Sequence, residues 1–124
     1  MARALVVDDS RATRMILSKT LSESGFEVAT AGNGQEALAV MEREGPAIEV
    51  VLVDWNMPVM NGLEFVQSLR ARPGFAAVRV VMVTTETEIE QMQRALEAGA
   101  DEYIMKPFTR DMVEEKLRMI GALA

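Results

Sequence analysis

The 124-residue chain has no cysteine and no histidine. Lack of cysteine excludes disulfides and thiolate zinc sites. Lack of histidine excludes a phosphohistidine on this chain and a Ser-His-Asp triad. Basic residues are in deficit, with 13 Lys and Arg against 19 Asp and Glu and a formal net charge of −6. That balance argues against nucleic-acid binding, because the phosphate backbone rewards Lys and Arg. No apolar run approaches the roughly 18 residues of a membrane span. The first residues, Met1 to Leu5, run directly into a strand and show no secretory signal. The expectation is a cytosolic protein with no membrane partner.

What is present is a 49% apolar chain of ordinary domain size. Residues 1–124 read as one domain, able to bury roughly two-thirds of its unfolded surface. Apolar runs recur at Ala4–Val7, Phe26–Ala31, Ile48–Val53, Val78–Val83 and Glu102–Met105. Ile48–Val53 is nearly continuous, the pattern of a strand buried on both faces. Helical spacing fills the gaps. Ser10 to Ser24 places Thr13, Leu17, Thr20 and Leu21 near one face with Ile16 beside them, and Gly25 ends the helix. Asn33 and Glu36 form an N-cap pair for a second helix that stops at Gly45-Pro46. Asn61 opens a third, which ends before Pro73-Gly74. Thr85 or Thr87 caps a fourth carrying Ile89, Met92 and Leu96, and Thr109 caps a fifth carrying Val113, Leu117 and Ile120. This alternation predicts an α/β fold with a parallel sheet, helices on both faces and right-handed crossovers.

In such sheets, ligands bind beyond the carboxyl ends of the strands. The five runs end in Asp8-Asp9, Asp54, Thr84-Thr85 and Lys106-Pro107, the second run excepted. Each residue has a plain structural alternative. Asp8 or Asp9 could cap the first helix, Asp54 a local turn, Thr84 could be an ordinary strand-end hydroxyl, and Lys106 a solvated charge. Together those alternatives fare badly. Two carboxylates about 4 Å apart repel by roughly 4 kcal/mol at an effective dielectric near 20, so the cluster calls for a cation. Oxygen-only ligands with few protein donors suit Mg2+. A carboxylate can attack phosphorus to form an acyl phosphate, and such transfer needs mainly in-line positioning and charge neutralisation. Asp54, alone at the end of the central strand, is the best nucleophile.

Four segments, "VVDDS", "LVDWNMPVMNG", "VMVTTE" and "YIMKPF", carry a resemblance over essentially the whole chain. In this order and spacing the sequence resembles response regulator receiver domains, the CheY-like chemotaxis members above all. The resemblance implies a flavodoxin-like, doubly wound (βα)5 fold with strand order 2-1-3-4-5. It implies a phosphorylation-activated two-component switch. Asp54 is then the phosphoacceptor. Asp9 and Asp54 bind Mg2+ through side chains, Asp8 partly through water, and Asn56 through its carbonyl. Lys106 contacts the phosphoryl group and precedes Pro107 across a cis peptide. Thr84 moves toward the phosphoryl group and Tyr103 then turns inward, where the plain alternative for Tyr103 is a half-buried edge-strand aromatic. Asn56 and Glu86 tune hydrolysis of the acyl phosphate. The output face comprises Ile89, Met92, Leu96, Tyr103, Met105 and Lys116. The donor is a histidine kinase or phosphotransfer protein, which suits a chain without histidine. The protein is expected as a monomer before phosphorylation, with a dimer afterwards allowed.

Two features qualify the picture. Ten Met residues read mostly as core filler, with Met92 and Met105 placed on the output face. The run Glu86-Thr87-Glu88-Ile89-Glu90 is more acidic than the corresponding part of the CheY-like members it resembles, which favours a basic target over an acidic one. Alternatives are a receiver cut from a larger transcription factor or hybrid kinase, an aspartyl phosphatase and a flavin carrier. A phosphatase would want a carboxylate where Asn56 stands, and Asp8-Asp9 would repel a flavin phosphate. The chain is therefore not expected to be an enzyme, although it assists its own phosphorylation and dephosphorylation.

Overall fold

The computed structural model describes residues 2–85 and 89–123. Strands and helices alternate as β1 (Arg3–Val7), α1 (Arg11–Glu23), β2 (Glu27–Ala31), α2 (Gly34–Glu44), β3 (Ile48–Asp54), α3 (Gly62–Arg70), β4 (Arg79–Thr84), α4 (Ile89–Ala98), β5 (Glu102–Met105) and α5 (Arg110–Met119). Short 3-10 turns at Gly45–Ala47 and Pro73–Phe75 lead into β3 and toward β4. All pairings are parallel and the order is β2-β1-β3-β4-β5. This is the expected doubly wound architecture.

Period-two alternation divides the strands between two cores. Ala4, Val6, Val50, Leu52, Val81 and Val83 pack with Leu17 and Leu21 of α1 and Val113 and Leu117 of α5. Leu5, Val7, Val51, Val53, Val80 and Met82 pack with Ala37 and Met41 of α2, Phe65 and Leu69 of α3 and Ala95 of α4. Side-chain caps start the helices. The hydroxyls or amide oxygens of Ser10, Asn33, Asn61 and Thr109 accept from the backbone N–H three residues on. Asn61 and Glu64 form a full reciprocal capping box. The Thr85 and Thr87 alternatives for α4 are not resolved, because Thr87 lies outside the described residues. No helix among the described residues is long and apolar enough to cross a membrane.

Three expectations need correction. Phe26 is not a strand residue. Its N–H donates to the Leu21 carbonyl at 3.0 Å while Gly25 N–H donates to Ser22, and Gly25 has φ +99°. That pair of bonds is the glycine-terminated helix end in which the residue after Gly folds back onto the helix. Phe26 is thus buried as part of the cap. Ile16 does not join the inner face of α1 and is 57% exposed. The methionines are core filler only in part, Met57, Met60 and Met92 packing partly buried against the core. Among the described residues Met41 and Met82 are buried, whereas Met15, Met105, Met112 and Met119 are exposed and the others are intermediate.

Candidate phosphoacceptor site

Register builds the site. Val7 pairs with Val53, so the tips of β1 and β3 lie side by side. Asp8 extends the ladder by one step, its N–H donating to the Ala31 carbonyl at 3.1 Å. Counting by twos from Ala4 and Val50, Asp8 and Asp54 leave the sheet on the same side. Asp8 is 1% exposed and Asp54 7%, while Asp9 is exposed. One carboxylate oxygen from each of the three lies within 4.8 Å of the others. Lys106 Nζ is 3.0 Å from Asp8 Oδ2 and 3.5 Å from Asp54 Oδ1. It supplies the counter-charge that two buried carboxylates require.

Second contacts hold these groups. Ser10 N–H donates to Asp8 Oδ1 at 2.8 Å, and Arg14 Nη1 donates to the Asp8 carbonyl at 2.7 Å. Behind Asp54, Gly62 N–H donates to the Trp55 carbonyl at 2.9 Å. A Cβ on Gly62 would lie 2.2 Å from the Asp54 carbonyl oxygen, so only glycine admits this approach. Burial pushes the Asp54 carboxyl above its ordinary pKa; Lys106 pulls it back, and the negative charges of Asp8 and Asp9 push with burial.

The donor set fits a hard divalent cation. It consists of oxygens only, clustered at one mouth. Among the described residues Asp8, Asp9 and Asp54 are the carboxylates that could hold such an ion; Asp8 also accepts from Ser10 N–H and pairs with Lys106.

Lys106 reaches the site from the end of the edge strand β5. Thr84 pairs with Met105, and Lys106 N–H donates to the Thr84 carbonyl at 2.9 Å. The Lys106–Pro107 peptide is cis. Asp54, Thr84 and Lys106 thus stand at the ends of consecutive strands, at the edge where a doubly wound sheet places its ligand.

A family model for the response regulator receiver domain matches residues 4–118. The chain is a response regulator receiver domain. It is 41% identical to the chemotaxis protein CheY1 of Helicobacter pylori over 119 residues, 95% of each chain. A CheY homolog of Campylobacter jejuni is 41% identical over 116 residues, 93% of this chain and 88% of that one. Among solved structures, CheY4 of Vibrio cholerae is 38% identical with a TM-score of 0.90, covering 97% of this chain and 98% of that one. The CheY of a CheX–CheY–BeF3–Mg complex from Borrelia burgdorferi is 28% identical with a TM-score of 0.91, covering 96% and 88%. Receiver domains of this type are signalling proteins of two-component systems, chemotaxis among them.

The remaining expected residues of this receiver domain fall in two places. Asn56 is exposed in the loop after Asp54, and Pro107 is exposed beside Lys106. Thr84 is fully buried, and Tyr103 is 5% exposed, buried rather than half-buried at the edge. Glu86 lies outside the described residues. Of the expected output face, Met92, Tyr103, Met105 and Lys116 line a groove of about 330 Å³ between α4, β5 and α5. Leu96 is exposed one turn further along α4. Ile89 opens α4. Sequence reasoning missed Met112 and Glu115, which line the same groove. It also missed Ser10, Arg14 and Gly62 at the acceptor. Ser10 could have been found from its N-cap position directly after Asp8-Asp9.

Proposed function

We propose that this receiver domain is a switch that accepts a phosphoryl group on Asp54 from a phosphohistidine of a kinase or phosphotransfer protein. The observation that carries the reading is Lys106 Nζ poised between Asp8 and Asp54, at 3.0 and 3.5 Å, beside the exposed carboxylate of Asp9. Asp9, Asp54 and the Asn56 carbonyl would hold Mg2+, with Asp8 joining through water, and the ion would supply charge neutralisation at the acceptor. Lys106 serves one phosphoryl oxygen and the Thr84 hydroxyl another, so the negative charge that phosphorylation adds is met by fixed donors. Asn56 and Glu86 govern access of the water that ends the signal.

The output reading follows from the groove. Thr84 and Tyr103 sit on adjacent strands, with Met82 opposite Tyr103 and Thr84 opposite Met105. A change at Thr84 is thereby one strand away from the wall formed by Tyr103 and Met105, and it need bias a two-state equilibrium by only a few kcal/mol. The exposed Glu115 at the groove, with Lys116 already paired to Glu102 at 3.5 Å, favours a target that brings basic rather than acidic contacts. The domain acts in the cytoplasm as a monomer before phosphorylation. The same site serves equally in a stand-alone protein or within a larger regulator; a response regulator/GGDEF domain protein, of which this chain covers 48%, is among the structural relatives.

The test is labelling by acetyl phosphate with Mg2+, read by intact mass and by peptide mapping. One phosphoryl group on Asp54 is expected, and none in Asp54→Ala. Modification mapped to another residue would overturn the assignment. Mg2+ with beryllofluoride is expected to change the fluorescence of Trp55, the buried neighbour of Asp54 and the only tryptophan.

A further inference from the structure

Asp9 poses a problem of placement. Its side chain is exposed, and no hydrogen bond or ion pair among the described residues holds it. Asp8 and Asp54, by contrast, are buried and both meet Lys106. Yet an Asp9 oxygen lies within 4.8 Å of theirs. Like charges at such spacing repel, so the approach of Asp9 has to be imposed by its backbone. The peptide between Asp8 and Asp9 sets where that residue begins. A peptide unit is planar, so fixing its carbonyl fixes the N–H and the Cα that follow.

Arg14 fixes that carbonyl. Its Nη1 donates to the Asp8 oxygen at 2.7 Å, a short charge-assisted bond. The arginine is half-buried, and its own N–H donates to the Ser10 carbonyl at 3.0 Å in the first turn of α1. The turn is closed at both ends as well. Asp8 N–H donates to the Ala31 carbonyl, and Ser10 N–H to Asp8 Oδ1. Water would satisfy a carbonyl at this open edge about as well, but water would not fix its direction. Nor is Arg14 spare charge for the acidic cluster. A Cβ on Gly32 would lie 3.5 Å from Arg14 Nη1 and 3.3 Å from Glu36 Oε2, so a carboxylate from α2 flanks the guanidinium.

Fixed spacing matters more to one ion than to another. Mg2+ demands near-ideal octahedral geometry with oxygens at about 2.1 Å, whereas Ca2+ takes oxygens at about 2.3–2.6 Å in flexible arrangements. We propose that Arg14 is a positioning residue for the divalent cation: it pins the Asp8–Asp9 peptide so that Asp9 is presented at a spacing selective for Mg2+ over Ca2+. The inference rests on Asp8, Asp9 and Asp54 being the Mg2+ site. Arg14 acts through Asp9 and is not itself a ligand. Charge alone predicts the opposite outcome. Removing a positive group beside three carboxylates would draw any cation in more tightly.

The test titrates metal-free protein with Mg2+ and, separately, Ca2+, reading Trp55 fluorescence and the rise in melting temperature with metal concentration. Arg14→Met is expected to raise the Kd for Mg2+ by about tenfold, the usual scale for removing a contact behind a metal ligand. The Kd for Ca2+ should rise less than about threefold, so selectivity falls. Arg14→Lys, which keeps one donor and the charge, should recover part of the loss. In an Asp9→Asn background, Arg14→Met should leave Mg2+ affinity unchanged, because the residue through which it acts is already altered. That background also keeps the comparison open if Arg14→Met alone folds poorly. A Kd for Mg2+ that is unchanged or lower in Arg14→Met would overturn the proposal. So would equal weakening of both ions, or a full loss from Arg14→Met that persists with Asn at position 9. A wild type whose melting and fluorescence ignore both ions would remove the metal site itself, and this role with it.

Discussion

A methyl group on Gly62 would collide with the main chain of the acceptor, 2.2 Å from the Asp54 carbonyl oxygen. Backbone cannot rotate away as a side chain can, so Gly62→Ala has to displace either the start of α3 or the tip of β3. The expected cost is about 2–3 kcal/mol in urea unfolding, with slower labelling of Asp54 by acetyl phosphate. Unchanged stability would mean that the loop relaxes freely. Asp54 itself gives a pH signature. Its pKa is raised, chiefly by burial. Between the ordinary carboxylate value and the raised one, the folded state keeps a proton that the unfolded state has released, so metal-free stability falls as pH rises through that window. Asp54→Asn should therefore melt higher than wild type at neutral pH, with the gap shrinking as the solution is acidified. A gap that stays constant or widens in acid would contradict the assigned sign. At this scale the charged groups are legible in the sequence because a strand's last residue tells which edge it occupies. Gly62 and Arg14 are not legible. They depend on how closely two distant pieces of backbone approach, and no spacing rule encodes that.

At the scale of elements, one arginine ties three of them together. Arg70, the last residue of α3, donates through Nε to the Gly99 carbonyl at 3.0 Å, just past α4. Its Nη1 donates to Phe75 and Val78 at 2.9 and 2.7 Å, on the approach to β4. Its Nη2 meets Asp101 Oδ2 at 3.0 Å, and the same oxygen accepts from Val80 N–H at 2.8 Å. Arg70→Met would keep much of the stem packing and leave these carbonyls without their donor. A loss of about 2–3 kcal/mol is expected, with amide exchange accelerating first around residues 95–101. Uniform acceleration across the sheet would argue against a local tie. The elements themselves are read well from hydrophobic period and caps, because strands buried on both faces and helices with side-chain caps leave strong local signals. The failures are the ones that tertiary geometry decides. Phe26 is apolar and adjoins a strand, yet the helix end captures it. Ile16 lies near the apolar face by count and is turned out to solvent. The exposed methionines follow the same logic, since apolar character alone does not tell a groove wall from a core.

At the scale of the whole molecule, a net charge of −6 is concentrated in part where three carboxylates crowd one edge. Lys106 answers two of them, and a divalent cation would answer the rest. Mg2+ is expected to raise the melting temperature, and Asp9→Asn to raise it without metal while shrinking the metal's effect. Melting curves unmoved by both would mean that the crowding costs the fold nothing. The sheet order has a consequence of another kind. β1 lies between β2 and β3, so during synthesis its outer side is covered once residue 31 has emerged, while its inner side waits for residue 54. At about 5–20 residues per second, the nascent chain holds an apolar, half-paired strand for roughly one to five seconds. That interval, before β3 slides in, is when this protein is most open to pairing with a neighbouring polypeptide or to capture by a chaperone.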